Sequence, residues 1–275
     1  PDLKLPHAHA GDADIAVAHC PERVLPGYVL QELVANDRII GGITPHCAER
    51  ARDLYKIFVK GECLLTTART AEMAKLTENA FRDVNIAFAN ELSLICDDSD
   101  IDVWELIRLA NLHPRVHILN PGPGVGGHCI AVDPWFIVSS NPEKARLIKM
   151  ARTVNDSKPV FVLEKVAEAA DKFKEPVIAC LGLAFKANID DLRESPALAI
   201  CRDLCARGIG EVLAVEPNLS ALPASEQDAG YELTSLPDAL QRANVIVVLV
   251  DHDQFRTVDR DLLNSKVVVD TRGIY

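Results

Sequence analysis

Hydrophobic and polar positions divide the chain into three stretches of different character. Ala13 to Ala18 is a short apolar run interrupted by Asp14 and closed by His19-Cys20-Pro21-Glu22, which predicts a strand delivering a polar loop; Arg38 to Ile43 predicts a second strand. From Pro45 the period becomes helical, with Ala48, Ala51, Leu54 and Phe58 on one face. The clearest helix runs from Thr70 to about Cys96, carrying Met73, Leu76, Ala80, Val84, Phe88, Leu92 and Ile95 at spacings of three and four. Asp102 with Glu105 has the spacing of a capping box and opens a short helix through Ala110. Glu143 to about Asp171 is helical again, with an interruption expected near Pro159.

After Lys174-Glu175-Pro176 the pattern alternates. Val177 to Leu183, Val212 to Val215, Val245 to Val250 and Val267 to Asp270 are short apolar runs separated by helix-length stretches, the signature of a parallel sheet. Ser195-Pro196 supplies a helix start and Gly208 a stop. The organisation expected is an incomplete α/β piece over 1–45, a central helical domain over 46–174, and a doubly wound domain over 175–275.

Composition narrows the classes. Of 275 residues, 48% are apolar and 25% charged, as in globular proteins, and the longest apolar run is far short of the roughly 20 residues that cross a bilayer. A net charge of -11 argues against sequence-independent nucleic-acid binding. The 8 Cys form no CxxC pair, so neither a zinc ribbon nor a disulfide framework is expected, and a reducing cytoplasm fits. His-Cys pairs at His19, His46 and His128 place adjacent side chains in different directions, so no metal is expected.

The densest cluster of unusual residues is Asn120-Pro-Gly-Pro-Gly-Val-Gly-Gly-His-Cys-Ile-Ala-Val-Asp133. Gly122, Gly124 and Gly127 match GxGxxG in letters, but prolines interleave them and no strand-to-helix turn frames them, so a dinucleotide loop is not the reading favoured. A flexible loop that brings backbone close to a ligand and holds Cys129 at its end suits the residues better; the plain alternative is an ordinary loop with Cys129 as an apolar filler. Lys75, Asn79 and Arg82 fall at i, i+4 and i+7 on one helix face, spanning roughly 10 Å. Asn is a poor helix former and gains little on an exposed face, which weighs against a merely solvated stripe. Lys186, Asp190, Asp191 and Arg193 lie between a strand end and a helix start, where open α/β sheets bind ligands.

Pro21-Glu22-Arg23 with Pro26-Gly27, Glu72-Met-Ala-Lys-Leu-Thr-Glu-Asn79, Gly-Val-Gly-Gly-His-Cys129 with Asp133, and Gly-Leu-Ala-Phe-Lys186 with Asp-Leu-Arg-Glu-Ser-Pro196 occur in this order, and together the chain resembles the UDP-glucose/GDP-mannose dehydrogenase family. Within it, His113-Pro-Arg-Val116 and His-Cys-Ile-Ala-Val-Asp-Pro look most like the branch that oxidises UDP-N-acetyl-D-mannosamine for polysaccharides of the enterobacterial common antigen type. Val132 stands where UDP-glucose-oxidising members usually carry lysine, which points to an N-acetylhexosamine.

The resemblance implies the remnant of an N-terminal Rossmann domain, an all-helical dimerisation domain and a C-terminal Rossmann-like domain, most of the NAD-binding domain being absent from this chain. It implies a four-electron oxidation of the sugar C6 alcohol to a carboxylate with two NAD reduced. Cys129 would form the thiohemiacetal and thioester, Lys75 would act as acid/base and oxyanion stabiliser beside Asn79, Asp133 would support proton transfer, and Glu22 would handle the hydrolytic water. Arg23, Val24, Arg82, His113, Arg115, Gly122, Gly124 and Gly126, with Phe185, Lys186 and Arg272, would hold the UDP-sugar, Arg115 reaching into the second subunit of a homodimer; Arg193 would contact NAD. The alternatives are a 6-dehydrogenase of UDP-N-acetylglucosamine or UDP-glucose, or a non-catalytic sugar-nucleotide-binding or dimerisation fragment.

Overall fold

The structure, a computed structural model, describes residues 4–6, 13–24 and 28–275. Pro26-Gly27 lies outside the described residues. The chain divides into two compact units, residues 1–79 and 80–275.

In the first unit, β1 (Ala18–His19), α1 (Val29–Ala35), β2 (Arg38–Gly42), α2 (Pro45–Tyr55) and β3 (Cys63–Thr67) precede the start of α3 (Ala68–Asp98). β2 pairs antiparallel with β1 and parallel with β3, in the register Arg38↔Cys63 to Gly42↔Thr67. The run expected as a strand from Ala13 is paired only over its last residue and His19. α2 is the crossover between the parallel pair. Thr44 caps it, the Thr44 hydroxyl accepting from the Cys47 N–H at 3.2 Å, and Pro45 occupies the first turn, where no N–H is needed. The helical period from Pro45 therefore belongs to this small sheet, and Phe58, expected on the helix face, lies beyond its end. β3 breaks the stretch expected to be helical from residue 46 onward. Cys63 and Thr66 are half-buried and the other three residues exposed, so Cys63-Leu-Leu-Thr-Thr67 carries no period of two and is too short to stand out beside the helical runs around it.

In the second unit, α4 (Val103–Ala110) is capped by Asp102, whose carboxylate accepts from the Trp104 and Glu105 N–H groups at 2.8 and 3.2 Å; Glu105 pairs with Arg108 instead of closing the box. α5 (Asp133–Ser140) follows the glycine loop, and α6 (Arg146–Ala170) runs through Pro159 without a break. Packing outweighs the lost bond: on either side of Pro159 the helix buries Ala151, Asn155, Val162, Leu163 and Val166.

β4 (Val177–Leu181), α7 (Pro196–Arg207), β5 (Glu211–Val215), β6 (Glu232–Leu233), α8 (Leu236–Arg242), β7 (Val245–Val248), α9 (Asp253–Arg256) and β8 (Val267–Asp270) complete the chain. The sheet has the order β6-β5-β4-β7-β8 with every pair parallel. Alternate side chains separate onto two faces. Ile178, Cys180, Val212, Ala214, Val245 and Val247 pack with α7 and the second half of α6, so that a helix expected wholly in the central domain supplies one face of the C-terminal core. Ala179, Leu181, Leu213, Val215, Ile246 and Val248 pack against α8 and Phe255. With β4 first in sequence and strands added outward on both sides, the order reverses between β4 and β7. The crevice outside their carboxyl ends is where such sheets receive ligands.

Candidate functional site

Within the first unit, Glu22 is fixed. Its carboxylate takes two hydrogen bonds from the Arg38 guanidinium, at 2.7 and 2.9 Å, and the backbone N–H groups of Arg23 and Val24 at 2.7 and 3.0 Å. Partial burial pushes the carboxyl up, but the Arg38 bonds and the two N–H groups outweigh it, and Glu22 is held below its ordinary range as a standing anion. Arg23 pairs with Glu78 at 3.0 Å, and Val24 is half-buried. On α3, Lys75 is half-buried and Asn79 is 5% exposed, one turn apart on a common face.

Within the second unit, Cys129 is a free, exposed thiol at the end of the glycine loop. Its carbonyl accepts from the Val132 and Asp133 N–H groups at 3.1 and 2.8 Å, which turns the chain directly into α5, with half-buried Asp133 and buried Pro134 in the first turn. The loop needs its glycines. Gly127 has φ +81°, and a Cβ there would sit 2.9 Å from the Phe185 ring; at Gly126 it would sit 2.4 Å from the Glu194 carbonyl. Gly124 lies against Pro196, and Gly122 under Arg272 Nη1. The structure thus brings the glycine loop, Phe185 and Arg272 together at the carboxyl ends of the sheet. Arg272 leaves β8 and clamps Asp251, which follows β7, at 2.6 and 2.9 Å. Lys186 is exposed.

Arg193 is exposed and grips Asp191 through Nε and Nη2 at 2.6 to 3.1 Å. The guanidinium holds the Asp191 carboxyl down at about 2, and His128, the neighbour of Cys129, adds to this. A cavity of about 660 Å³ beside the loop is lined by Val125, Asp156, Pro159, Arg193, Arg202 and Glu226. His113, Arg115 and Arg82 stand elsewhere. His113 and Arg115 share a turn after α4, the Arg115 N–H donating to His113 Nδ1 at 3.3 Å. Arg115 also borders an apolar cavity of about 470 Å³ with Phe81, Phe88, Leu147 and Met150. Arg82 is exposed on α3.

Sequence reasoning missed a buried polar chain between α3 and α6. Arg152 Nη1 donates to Asp83 at 2.6 Å; Asn155 donates to the Asp83 carboxylate and carbonyl at 2.8 and 3.1 Å; Asn90 donates to Asn155 at 2.9 Å; and Asn90 Oδ1 accepts the Gly122 N–H at 2.9 Å. Asn90 thereby fixes the start of the glycine loop. The signal was available, since Asn90 and Asn155 are mid-helix asparagines as costly as Asn79. Among the described residues no group of three or more His, Cys, Asp or Glu is placed to hold a metal, and no helix is long and apolar enough to cross a membrane.

A parallel C-terminal sheet with a cysteine-bearing glycine loop seated at its carboxyl ends, preceded in sequence by long helices and a smaller α/β piece, is an arrangement this chain shares with nucleotide-sugar dehydrogenases. Profiles of the UDP-glucose/GDP-mannose dehydrogenase family match over residues 3–59 (NAD binding domain), 69–157 (central domain) and 179–275 (UDP binding domain). An NDP-N-acetyl-D-galactosaminuronic acid dehydrogenase of Ralstonia nicotianae is 65% identical over all of this chain and 64% of its own length. A UDP-N-acetyl-D-mannosamine dehydrogenase of Escherichia coli K12 is 58% identical over all of this chain and 67% of its own. The solved UDP-D-ManNAc dehydrogenase of Pyrococcus horikoshii superposes with a TM-score of 0.86 at 42% identity, covering 96% of this chain and 62% of that one. The chain belongs to the UDP-glucose/GDP-mannose dehydrogenase family, and it spans about two thirds of the length of these relatives.

Proposed function

We propose that this chain is the sugar-handling part of an NAD-dependent dehydrogenase that converts the C6 alcohol of a UDP-N-acetylhexosamine, in the first place UDP-N-acetyl-D-mannosamine, to the uronate. The observation that carries this reading is the exposed Cys129 at the end of a glycine loop packed on Phe185, with Lys186 next in sequence. A thiol suits the task because it holds the aldehyde covalently, so that the half-oxidised sugar does not escape before its second oxidation. Loss of a hydride and a proton from the C6 alcohol gives the aldehyde; addition of the Cys129 thiol across its C=O gives a thiohemiacetal; loss of a second hydride and a second proton gives a thioester, and water cleaves it to the carboxylate and the free thiol. Bound NAD supplies the electron acceptor, once for each oxidation.

Lys75 and Asn79 take the proton and oxyanion at C6 in this reading. Asp133, at the start of the helix behind Cys129, supports proton transfer, and Glu22, held as an anion by Arg38, orients the hydrolytic water. Arg23, Val24, Arg82, His113, Arg115, Gly122, Gly124, Gly126, Phe185, Lys186 and Arg272 bind the nucleotide sugar. Arg193 suits a cofactor phosphate: two of its nitrogens hold Asp191 while the exposed group borders a cavity. A homodimer through the helices is supported by large exposed apolar side chains on α3 and α6, including Phe81, Phe88, Ile95, Leu147 and Met150. The substrate and cofactor imply the cytoplasm.

A second substrate reading, the galacto-configured N-acetylhexosamine, is favoured by the name of the 65% identical relative. NADH formation from each UDP-sugar separates them, assayed on the chain alone and on a fusion supplying the additional length that the relatives carry. Cys129→Ala in the active form is expected to lower uronate production by about 10³-fold or more, the scale of removing a covalent nucleophile. Undiminished production would remove the thioester route. No turnover by either form, with UDP still bound, would leave a binding module.

A further inference from the structure

In a dinucleotide-binding βαβ unit, the N–H groups just beyond the first strand face a pyrophosphate, and an acid ending the second strand takes a ribose. β4 and β5 are the corresponding strands of the C-terminal sheet, and Glu216 is the acid that follows β5. Glu216 turns inward instead of outward. It is 4% exposed, and Oε2 accepts the Leu183 and Ala184 N–H groups, the first beyond Gly182, at 2.8 and 3.0 Å. A protein carboxylate occupies the place of a phosphate oxygen. No helix opens directly behind this turn, since α7 begins only at Pro196.

His252, 1% exposed after β7, completes the arrangement. Its Nε2 lies 3.1 Å from the same Oε2, while Nδ1 accepts the Asn188 N–H at 2.9 Å and lies 3.2 Å from Asn218 Nδ2. Two donors converge on Nδ1, so the ring proton sits on Nε2 and is donated to Glu216. The stretch from Gly182 to Asn188 is therefore pinned at both ends, by one carboxylate and one imidazole. Between the pins stand Phe185, whose ring underlies Gly127, and Lys186. Burial pushes the Glu216 carboxyl up, but the His252 bond and the two N–H groups bring it below its ordinary range, in keeping with an anion at this point.

We infer that Glu216 and His252 are positioning residues of the nucleotide-sugar site: with the carboxylate standing in for a phosphate at the end of β4, they hold Phe185 and Lys186 in place against the glycine loop. The inference rests on the reading that Phe185 and Lys186 contact the UDP-sugar. Its test combines amide hydrogen exchange with calorimetric titration of UDP, both on the whole chain. Glu216→Gln is expected to speed exchange at Leu183 and Ala184 about tenfold or more while β4 keeps its protection, and to weaken UDP about tenfold, the scale of losing a charge-assisted hydrogen bond. Glu216→Asp, which keeps the charge, falls between this variant and the parent. His252→Gln acts at Asn188 and serves if Glu216→Gln does not fold. Lys186→Ala weakens UDP with exchange at Leu183 and Ala184 unchanged. A loop that opens while UDP binds as tightly as before overturns the positioning role, and unchanged exchange overturns the pinning. A parent chain that does not bind UDP at all sinks the functional reading, and the exchange measurements then decide the pinning by themselves.

Discussion

The two long helices of the second unit and the C-terminal sheet are built on opposite plans. The sheet keeps its apolar residues inside: Ile178, Leu181, Leu213 and Ile246 are completely buried, and its buried charges gather at the strand ends. The helix pair buries Asp83, Asn90, Arg152, Asn155 and Lys158 and turns Phe81, Phe88, Leu147 and Met150 outward, with exposures of 51 to 69%. A sheet covered on both faces by helices is complete in itself. A helix pair with polar groups between its members and aromatics outside has its apolar surface still to be covered, the condition of an interface. The comparison also separates two uses of buried polarity. Between the helices it ties Asp83 through two asparagines to the Gly122 N–H, and at the sheet end it ties Glu216 to the loop bearing Phe185. Both chains end on the segments that hold the sugar-nucleotide site in the reading above.

The largest effect is expected from removing one member of the helix-pair network. Asp83 lies at 0% exposure, its carboxyl pushed up by burial against the pull of Arg152, and its Oδ2 and Arg152 Nε have no hydrogen-bond partner in the structure. Asp83→Ala should therefore cost about 3–5 kcal/mol in urea unfolding, because it leaves the buried Arg152 charge with only the half-exposed Asp156 as its carboxylate partner. Asp83→Leu combined with Arg152→Met should cost far less, or stabilise; a double variant as unstable as the single would mean that the pair itself, and not the charge left behind, sets the energy.

A smaller and opposite effect is expected at Lys158, which packs its ammonium 4.3 Å over the Phe161 ring and lines a cavity of about 510 Å³ with Trp104 and Pro121. Burial lowers its amine to about 8 from an ordinary 10.5, against a weaker pull from Asp97. Below pH 8 the folded chain carries the buried charge at full cost. Between pH 8 and 10.5 the unfolded chain binds more protons than the folded one, so this group makes stability rise with pH across that window. Lys158→Met should stabilise by roughly 1–3 kcal/mol at pH 7 and flatten the window; unfolding at pH 7 and above pH 10 gives both, and a destabilised variant at pH 7 would show that the charge is used.

The smallest effect on stability falls on the outward aromatics. Phe88→Ser should change monomer unfolding by no more than about 0.5 kcal/mol, as for an exposed position, while shifting the sedimentation of the homodimer proposed above toward the monomer. A marked loss of monomer stability would mean that Phe88 is core, and the contrast between the two regions would fail.

Much of this was legible in the sequence because it is local. Strand runs of valine and isoleucine, the Ser195-Pro196 start and Gly208 at φ +63° are decided within a few residues, and the structure places them where the pattern does. The glycine loop with Cys129 was legible for the same reason: only small residues pass that close to Phe185 and Pro196. β3 was not, because its five residues acquire strand character only by pairing with β2. Pro159 misled for a related reason, as the bond it removes counts for less than the packing on either side of it. Neither Asp83 with Arg152 nor Glu216 with His252 could be paired from sequence, since the partners lie 69 and 36 positions apart and charged residues of the same kinds are common on surfaces.

The apolar strand runs and parallel character of the C-terminal sheet, the long helices, the caps at Asp102 and Ser195 and the motifs that mark the family were written in the sequence, because each depends on periodicity or on the conformational limits of neighbouring residues. Which charges are buried and with whom, that α6 serves the sheet as well as α3, and that Phe185 and Arg272 meet the glycine loop were settled by the packing of the folded chain. Those outcomes rest on distances between segments remote in the chain, and the energy of a buried charge is set by its partners in space.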